Sequence, residues 1–242
     1  MINLSADLGE GSPGEDEIWP LINSANVACG GHVGDEASMR DAVRLAREHH
    51  VKLGAHPSYP DREHFGRRSL AIAPDALRES LIAQISALRT FGEVRHVKPH
   101  GALYNDAHKD RALADVIVDA IRAIDPAIAL VAPDRSQMAA AARAAATPVI
   151  REAFADRRYE PDGALVSRKE PGSTLTIEEA AAQAALLARE GVVIARDGSR
   201  VPLRFDTICI HADMESAVER LRAIRASIRG DRASADSNEA SS

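Results

Sequence analysis

The sequence predicts an α/β protein whose parallel strands, about seven of them, close into a distorted TIM-like barrel. Short β-branched runs alternate with amphipathic helical runs along most of the 242 residues. Connections that each hold a helix imply parallel neighbours. Unusual polar residues also recur directly after strands, from the first strand to the last. A closed parallel ring delivers all its C-terminal strand ends to one face, whereas the crevice of an open sheet draws on fewer strands.

Ile2 to Leu8 reads as the first strand and Asn23 to Cys29 as a weaker second. Asp35 is placed to cap a helix through Met39, Val43 and Ala46, and Val51 to Ala55 is the third strand. Pro74 suits the first turn of a helix that buries Leu77, Leu81, Ile85 and Leu88 before Gly92. Val94 to Lys98 is the fourth strand; Asp110 opens a helix carrying Leu113, Ile117, Ile121 and Ile124. Ile128 to Ala132 and Val149 to Glu152 are strands, flanking an alanine-rich helix that Asp134 is placed to cap. Residues 153 to 173, with two prolines and two glycines, read as a long surface loop. Thr176 and Glu179 form a capping box for a helix ending before Gly191. Val192 to Ala195 and Phe205 to Ile210 follow as strands, and Val218, Leu221, Ile224 and Ile228 mark the last helix. Residues 1–230 are thus expected to form a single catalytic barrel domain. Residues 231–242, rich in Ser, Asp and Ala, are expected to form a disordered tail.

Composition excludes several classes. Thirty-six acidic against thirty basic residues give a net charge of -6, which disfavours binding to nucleic acid. No run approaches the ~18 apolar residues of a membrane span, and the first residues do not resemble a secretory signal. Two cysteines, Cys29 and Cys209, are too few for a disulfide scaffold and fit a reducing, cytoplasmic setting.

The chemistry collects at strand ends. Asp7 and Glu10 follow the first strand, His32 the second, His56 and Asp61 the third. Lys98 and His100 close the fourth; Glu152, Asp156 and Arg157 follow a later one, and His211 and Asp213 the last. Four of nine histidines lie at such ends beside Gly, Pro or an acid, whereas His49, His50 and His108 read as surface residues. Histidine moves protons near neutral pH, and a partly desolvated carboxylate orients it or acts as base. Lys98 is either a cation for a carboxylate, phosphate or forming oxyanion, or a structural ion pair with Glu152. Arg67 or Arg68 could hold an anionic substrate. Asp213 is open between helix cap and site residue, and Cys29 reads as a buried, inert thiol. Asp7 with two or three of His56, His100 and His211 would suit Zn²⁺ or another divalent transition ion, although no compact histidine pair on a helix signals one. No phosphate-cradling glycine loop and no serine nucleophile elbow is present.

Several longer stretches carry a resemblance. They are Ala6–Glu10, Ser24–Gly30 with His32 and Asp35, Gly54–Pro57 with Tyr59–Asp61, Phe65–Arg68, Val97–Asn105, Glu152 with Phe154–Arg157, and Cys209 with His211 and Asp213. Together they resemble the LamB/YcsF family, in family order over about residues 2 to 228. The resemblance implies a barrel related to glycoside hydrolases and polysaccharide deacetylases. It also implies conversion of 5-oxo-L-proline to L-glutamate coupled to ATP hydrolysis, with 5-oxoprolinase subunits B and C as partners. Lacking a nucleotide fingerprint, the chain would meet ATP through those partners. On this reading Asp7, His56, Lys98, His100, His211 and Asp213 are the catalytic candidates: Asp7 with His56 as an acid–base pair, Lys98 with His100 facing developing negative charge, and His211 with Asp213 completing a relay. Glu10, His32, Asp61, Arg67, Glu152, Asp156 and Arg157 are the substrate-binding candidates. Asn3, Ser5, Gly31 and Ala212 depart from the family pattern and leave the exact lactam open. A stand-alone metal-dependent amide or ester hydrolase and a noncatalytic adaptor are the alternatives.

Overall fold

The computed structural model describes residues 2–168, 170–212 and 216–239. Nine strands are formed among them: β1 (Asn3–Leu8), β2 (Ser24–Ala28), β3 (Lys52–His56), β4 (His96–Val97), β5 (Ala129–Ala132), β6 (Val149–Phe154), β7 (Val192–Ile194), β8 (Arg200–Pro202) and β9 (Thr207–Ile210). Seven of them close a barrel in the order β1-β2-β3-β4-β5-β6-β9, every neighbouring pair parallel, with β9 bonded to both β6 and β1. The helices are α1 (Glu36–Glu48), α2 (Pro74–Arg89), α3 (Gly101–Lys109), α4 (Arg111–Ile124), α5 (Gln137–Ala144), α6 (Ile177–Glu190) and α7 (Ala217–Glu239).

Alternation along each strand separates two environments. Leu4, Ala6 and Leu8 of β1, Ala25 and Val27 of β2, and Ile208 and Ile210 of β9 belong to the apolar core beneath the helices. Their neighbours Ser5, Asp7, Ser24, Asn26, His96 and Thr207 are buried as well, on the opposite side of the strands. Barrel lumens are commonly filled by Val, Ile and Leu; this one is polar. The helices seal the outside with small and branched side chains, among them Ile117 and Ile121 of α4, each contributing roughly 1.5–3 kcal/mol by burial.

Local signals explain most element boundaries. Asp35 and Ser38 form a reciprocal capping box on α1, Thr176 and Glu179 form another on α6, and Asp110 caps α4. Gly191 ends α6 in the left-handed region. Four features differ from the sequence expectation. Ser136, not Asp134, caps α5, and Asp134 pairs with Arg143 instead. The segment before Asp110 is a helix of its own, α3, hidden because Asp110 reopens a new helix immediately. β7 lies outside the barrel and pairs antiparallel with β8 across the turn containing Gly198. Finally, α7 continues as helix past Gly230 to Glu239.

Candidate active site

At the C-terminal end of the barrel, β1, β3, β4 and β6 bring Asp7, His56, Lys98 and Glu152 together. Lys98 Nζ donates to Asp7 Oδ1 at 2.9 Å and to Cys209 Sγ at 3.0 Å, and lies 3.0 Å from Glu152 Oε1. Burial works against the Lys98 charge, yet Asp7, Cys209 and Glu152 hold its pKa well above that of an ordinary lysine. Burial would likewise raise Asp7, but His56 and Lys98 keep its carboxyl well below the usual range. The Tyr104 hydroxyl, from α3, donates to Glu152 Oε2 at 2.8 Å. Lys98 is thus a clamp between two carboxylates, only 3% exposed, and not a cation projecting freely into a cavity. The ion-pair alternative for Lys98 and Glu152 is the one realised.

A second cluster adjoins this clamp. His56 Nε2 is 3.4 Å from Asp7 Oδ2 and 3.0 Å from His100 Nδ1. Glu10 Oε1 lies 3.0 Å from His32 Nε2, 3.4 Å from His100 Nδ1 and 3.8 Å from His56 Nε2. The His32 and His100 rings stack with centroids 3.7 Å apart, and Phe65 meets both edge-on. Burial and the neighbouring His56 charge push His32 down to about 3 and His100 lower still, so both rings are neutral. Burial opposes a charge on His56 too, but Asp7 outweighs it and raises its pKa. Phe65 holds a left-handed backbone (φ 55°), a strained conformation for a bulky residue, and its carbonyl accepts from His100 Nε2 at 3.0 Å.

Glu10, His32, His56 and His100 each offer a donor atom, all within 4.8 Å of one another, a group able to hold a metal ion. This set keeps His56 and His100 of the sequence candidates. Glu10 and His32 replace Asp7, which engages Lys98, and His211, which stacks on Phe154.

His211 forms its own pair. Its ring Nδ1 donates to Asp156 Oδ2 at 2.8 Å and its backbone N–H to the same oxygen at 3.1 Å. Burial would raise Asp156, but His211 and Arg157 lower it to about 2. The remaining sequence candidates stand apart. Arg157 is spent on the backbone carbonyls of Val166 and Ser173, Asp61 accepts from His64, and exposed Arg67 lies over the Phe65 ring at the rim. Asp213 is outside the described residues.

Asn26 and His96 belong to the site without having been among its candidates. His96 Nε2 donates to Asn26 Oδ1 at 3.0 Å, and Asn26 Nδ2 donates to Asp7 Oδ1 at 2.8 Å. The signal was an amide in the middle of an otherwise small and apolar strand. Asp7, Asn26, Gly54 and His96 occupy one register row across β1 to β4. A Cβ on Gly54 would stand 2.1 Å from His96 Nε2, so the imidazole reaches Asn26 only by crossing a glycine.

A cavity of about 530 Å³ opens at the other end of the barrel, lined by Asn3, Ser5, Ser24, Lys52, His96 and Thr207 among others. Asn3 and Ser5 therefore lie away from the Glu10–His32–His56–His100 group. A Cβ on Gly31 would meet Gln84 Oε1 at 2.3 Å and Ser58 Oγ at 2.4 Å, so the glycine makes room for the Gln84–Ser58 hydrogen bonds. Phe65 supplies an aromatic wall to His32 from another loop.

Known proteins resemble this chain from end to end. A Methylococcus capsulatus protein, named as the A subunit of 5-oxoprolinase, is 47% identical over 235 residues, covering 93% of this chain and 90% of the relative. One of the same name from Chloroflexus aggregans is 46% identical over 235 residues, covering 93% of each. The crystal structure of a lactam utilization protein from Thermus thermophilus superposes with a TM-score of 0.88 at 42% identity, covering 95% of this chain and 96% of that one. The LamB/YcsF family model matches residues 2–241, and the chain belongs to the LamB/YcsF family.

Proposed function

We propose that the protein is the A subunit of an ATP-dependent 5-oxoprolinase, opening 5-oxo-L-proline to L-glutamate with cytoplasmic partner subunits B and C. The observation that carries this reading is the buried Asp7–Lys98–Glu152 clamp beside His56, at the mouth of a barrel from a chain so similar to proteins of that name. Two free, buried cysteines agree with a reducing compartment.

The site does not suit a triphosphate. Its mouth gathers the carboxylates of Asp7, Glu10, Glu152 and Asp156, which repel phosphate, and the strand-end loops aim imidazoles inward where a phosphate cradle uses main-chain amides. ATP is therefore assigned to the partner subunits, which would activate the lactam. Asp7, kept ionised by Lys98, holds His56 ready to exchange a proton. His211, its Nδ1–H fixed on Asp156, keeps Nε2 for a second proton transfer. Lys98 acts through Asp7 and Glu152 as a positioning residue.

Reconstitution with cognate B and C subunits, following glutamate and ADP together, tests the reading. Both products are expected only from the three-component mixture, and neither from this chain alone. ATP hydrolysis by the isolated chain defeats the division of labour. Lactam or ester cleavage without ATP and partners would favour the stand-alone metal-dependent hydrolase, the reading that the Glu10–histidine group supports.

A further inference from the structure

His56 and His100 meet in a way that ordinary hydrogen bonding between neutral rings does not satisfy. His56 Nδ1 lies 2.7 Å from the Lys98 carbonyl, and His100 Nε2 lies 3.0 Å from the Phe65 carbonyl. A carbonyl only accepts, so each of these nitrogens carries a hydrogen. His56 Nε2 and His100 Nδ1 then face each other at 3.0 Å, where a hydrogen bond needs a proton on one of them and a bound cation needs none. Glu10 Oε1 adds a third acceptor to the same point, and His32 Nε2 a fourth donor atom. Hydrogen bonding serves these four atoms with two protons, one between His56 and His100 and one between His32 and Glu10, whereas a single metal cation would engage all four at once.

We infer that Glu10, His32, His56 and His100 form a binding site for one divalent transition ion of the Zn²⁺ class. Three imidazoles and one carboxylate are a donor set of that class. A tetrahedral ion with bonds of ~2.0–2.1 Å needs its ligand atoms about 3.3–3.4 Å apart. Four of the six separations among these atoms, 3.0, 3.0, 3.4 and 3.8 Å, bracket that value, and all six lie within 4.8 Å. The outer hydrogen bonds fit for His56 and His100, whose other N–H groups donate to the Lys98 and Phe65 carbonyls as metal-bound histidines characteristically do, while His32 Nδ1 is buried without a hydrogen-bond partner. With the ion bound both His56 nitrogens are engaged, so the metal-loaded chain leaves proton exchange to the His211–Asp156 pair, and the ion sets a fixed positive charge beside Asp7.

The inference goes beyond the proposed lactam chemistry and its test needs neither partner nor turnover. The full chain, stripped with a chelator, is titrated with Zn²⁺ alone by calorimetry and with Co²⁺ by visible absorption. One ion per chain is expected, with Co²⁺ giving the d–d bands of a low-coordinate nitrogen–oxygen site. His56→Gln and Glu10→Gln should each weaken binding by more than ~100-fold, beyond the ~10–100-fold cost of losing an outer partner. His108→Gln, on α3 outside the group, should leave it unchanged. Circular dichroism establishes that each variant is folded; Glu10→Gln, on a loop and not in a strand, carries the test if His56→Gln does not fold. Absence of one-to-one binding by the folded chain overturns the site, as does binding indifferent to both substitutions. So does a nitrogen-detected histidine spectrum in which a proton shared by His56 Nε2 and His100 Nδ1 persists in excess Zn²⁺. A chain that binds Zn²⁺ as expected but makes no glutamate with B and C retains the metal site and loses only the proposed reaction.

Discussion

Lys98 is where a single side chain carries the largest electrostatic consequence. Replacing it with methionine leaves Asp7 and Glu152 buried and facing each other without their common cation. Breaking such a pair from one side costs about 3–5 kcal/mol. For a chain of this size Lys98→Met should lower Tm by roughly 6–20 °C, and a thermal melt within a degree or two of the parent would refute the clamp. Asp156 gives a pH signature. Its folded pKa of about 2 lies below the ordinary ~3.9 of an unfolded aspartate, so its contribution is present above about pH 4 and fades as pH falls through 2. Chemical denaturation of parent and Asp156→Asn from pH 6 to 2 should show a gap of about 2–3 kcal/mol that narrows only below pH 4. A constant gap would mean that the charge of Asp156 is not what stabilises the fold. At this scale the sequence was informative about type more than partner. Strand-end position pointed to Asp7, Lys98 and Glu152, but whether Lys98 faced solvent or two acids depended on register across strands far apart in the chain. Arg157 likewise stood among the substrate-binding candidates, and the loop's own carbonyls turn out to meet its guanidinium.

Elements were most legible where a cap or a periodic apolar face announced them, as at Asp35, Pro74, Asp110 and Thr176. They were least legible where they were short. β4 is two residues long, and α3 is one brief helix pressed against the cap of the next. The hairpin of β7 and β8 was read as a single strand because three-residue strands carry little alternation. α3 nevertheless positions much of the site, since its first residue follows His100 and its fourth is Tyr104. Gly101 opens it at φ 58°, where a Cβ would stand 2.5 Å from the Gly66 carbonyl oxygen, and Ala102 N donates to that same carbonyl. Gly101→Ala therefore combines left-handed strain with a backbone clash. It should cost on the order of 1–3 kcal/mol and pull His100 away from Phe65. Denaturant unfolding gives the energy and the His100 ring resonances report the displacement; an unperturbed variant would show that the 59–67 loop yields freely.

On the scale of the whole molecule, the closed parallel ring follows from the alternation of strands and helices and from chemistry recurring at strand ends from the first strand to the last. The polar lumen was less visible, because a lone Asn26 or His96 in a strand looks like an exposed edge until closure turns its face inward. That lumen joins the two ends of the barrel: His96 lines the lower cavity and also, through Asn26, holds the carboxylate of Asp7 at the upper one. The row that contains them has room for one ring and no more. Gly54→Ala should destabilise the parent yet be tolerated in a His96→Ala background, so the double-mutant cycle should show a favourable interaction energy on the order of 1–3 kcal/mol. Strict additivity would mean that the ring and the glycine do not compete for space. The same exclusion bears on ancestry: in this lineage the two sites are expected to change together or not at all, with any side chain gained at 54 answered by a smaller residue at 96.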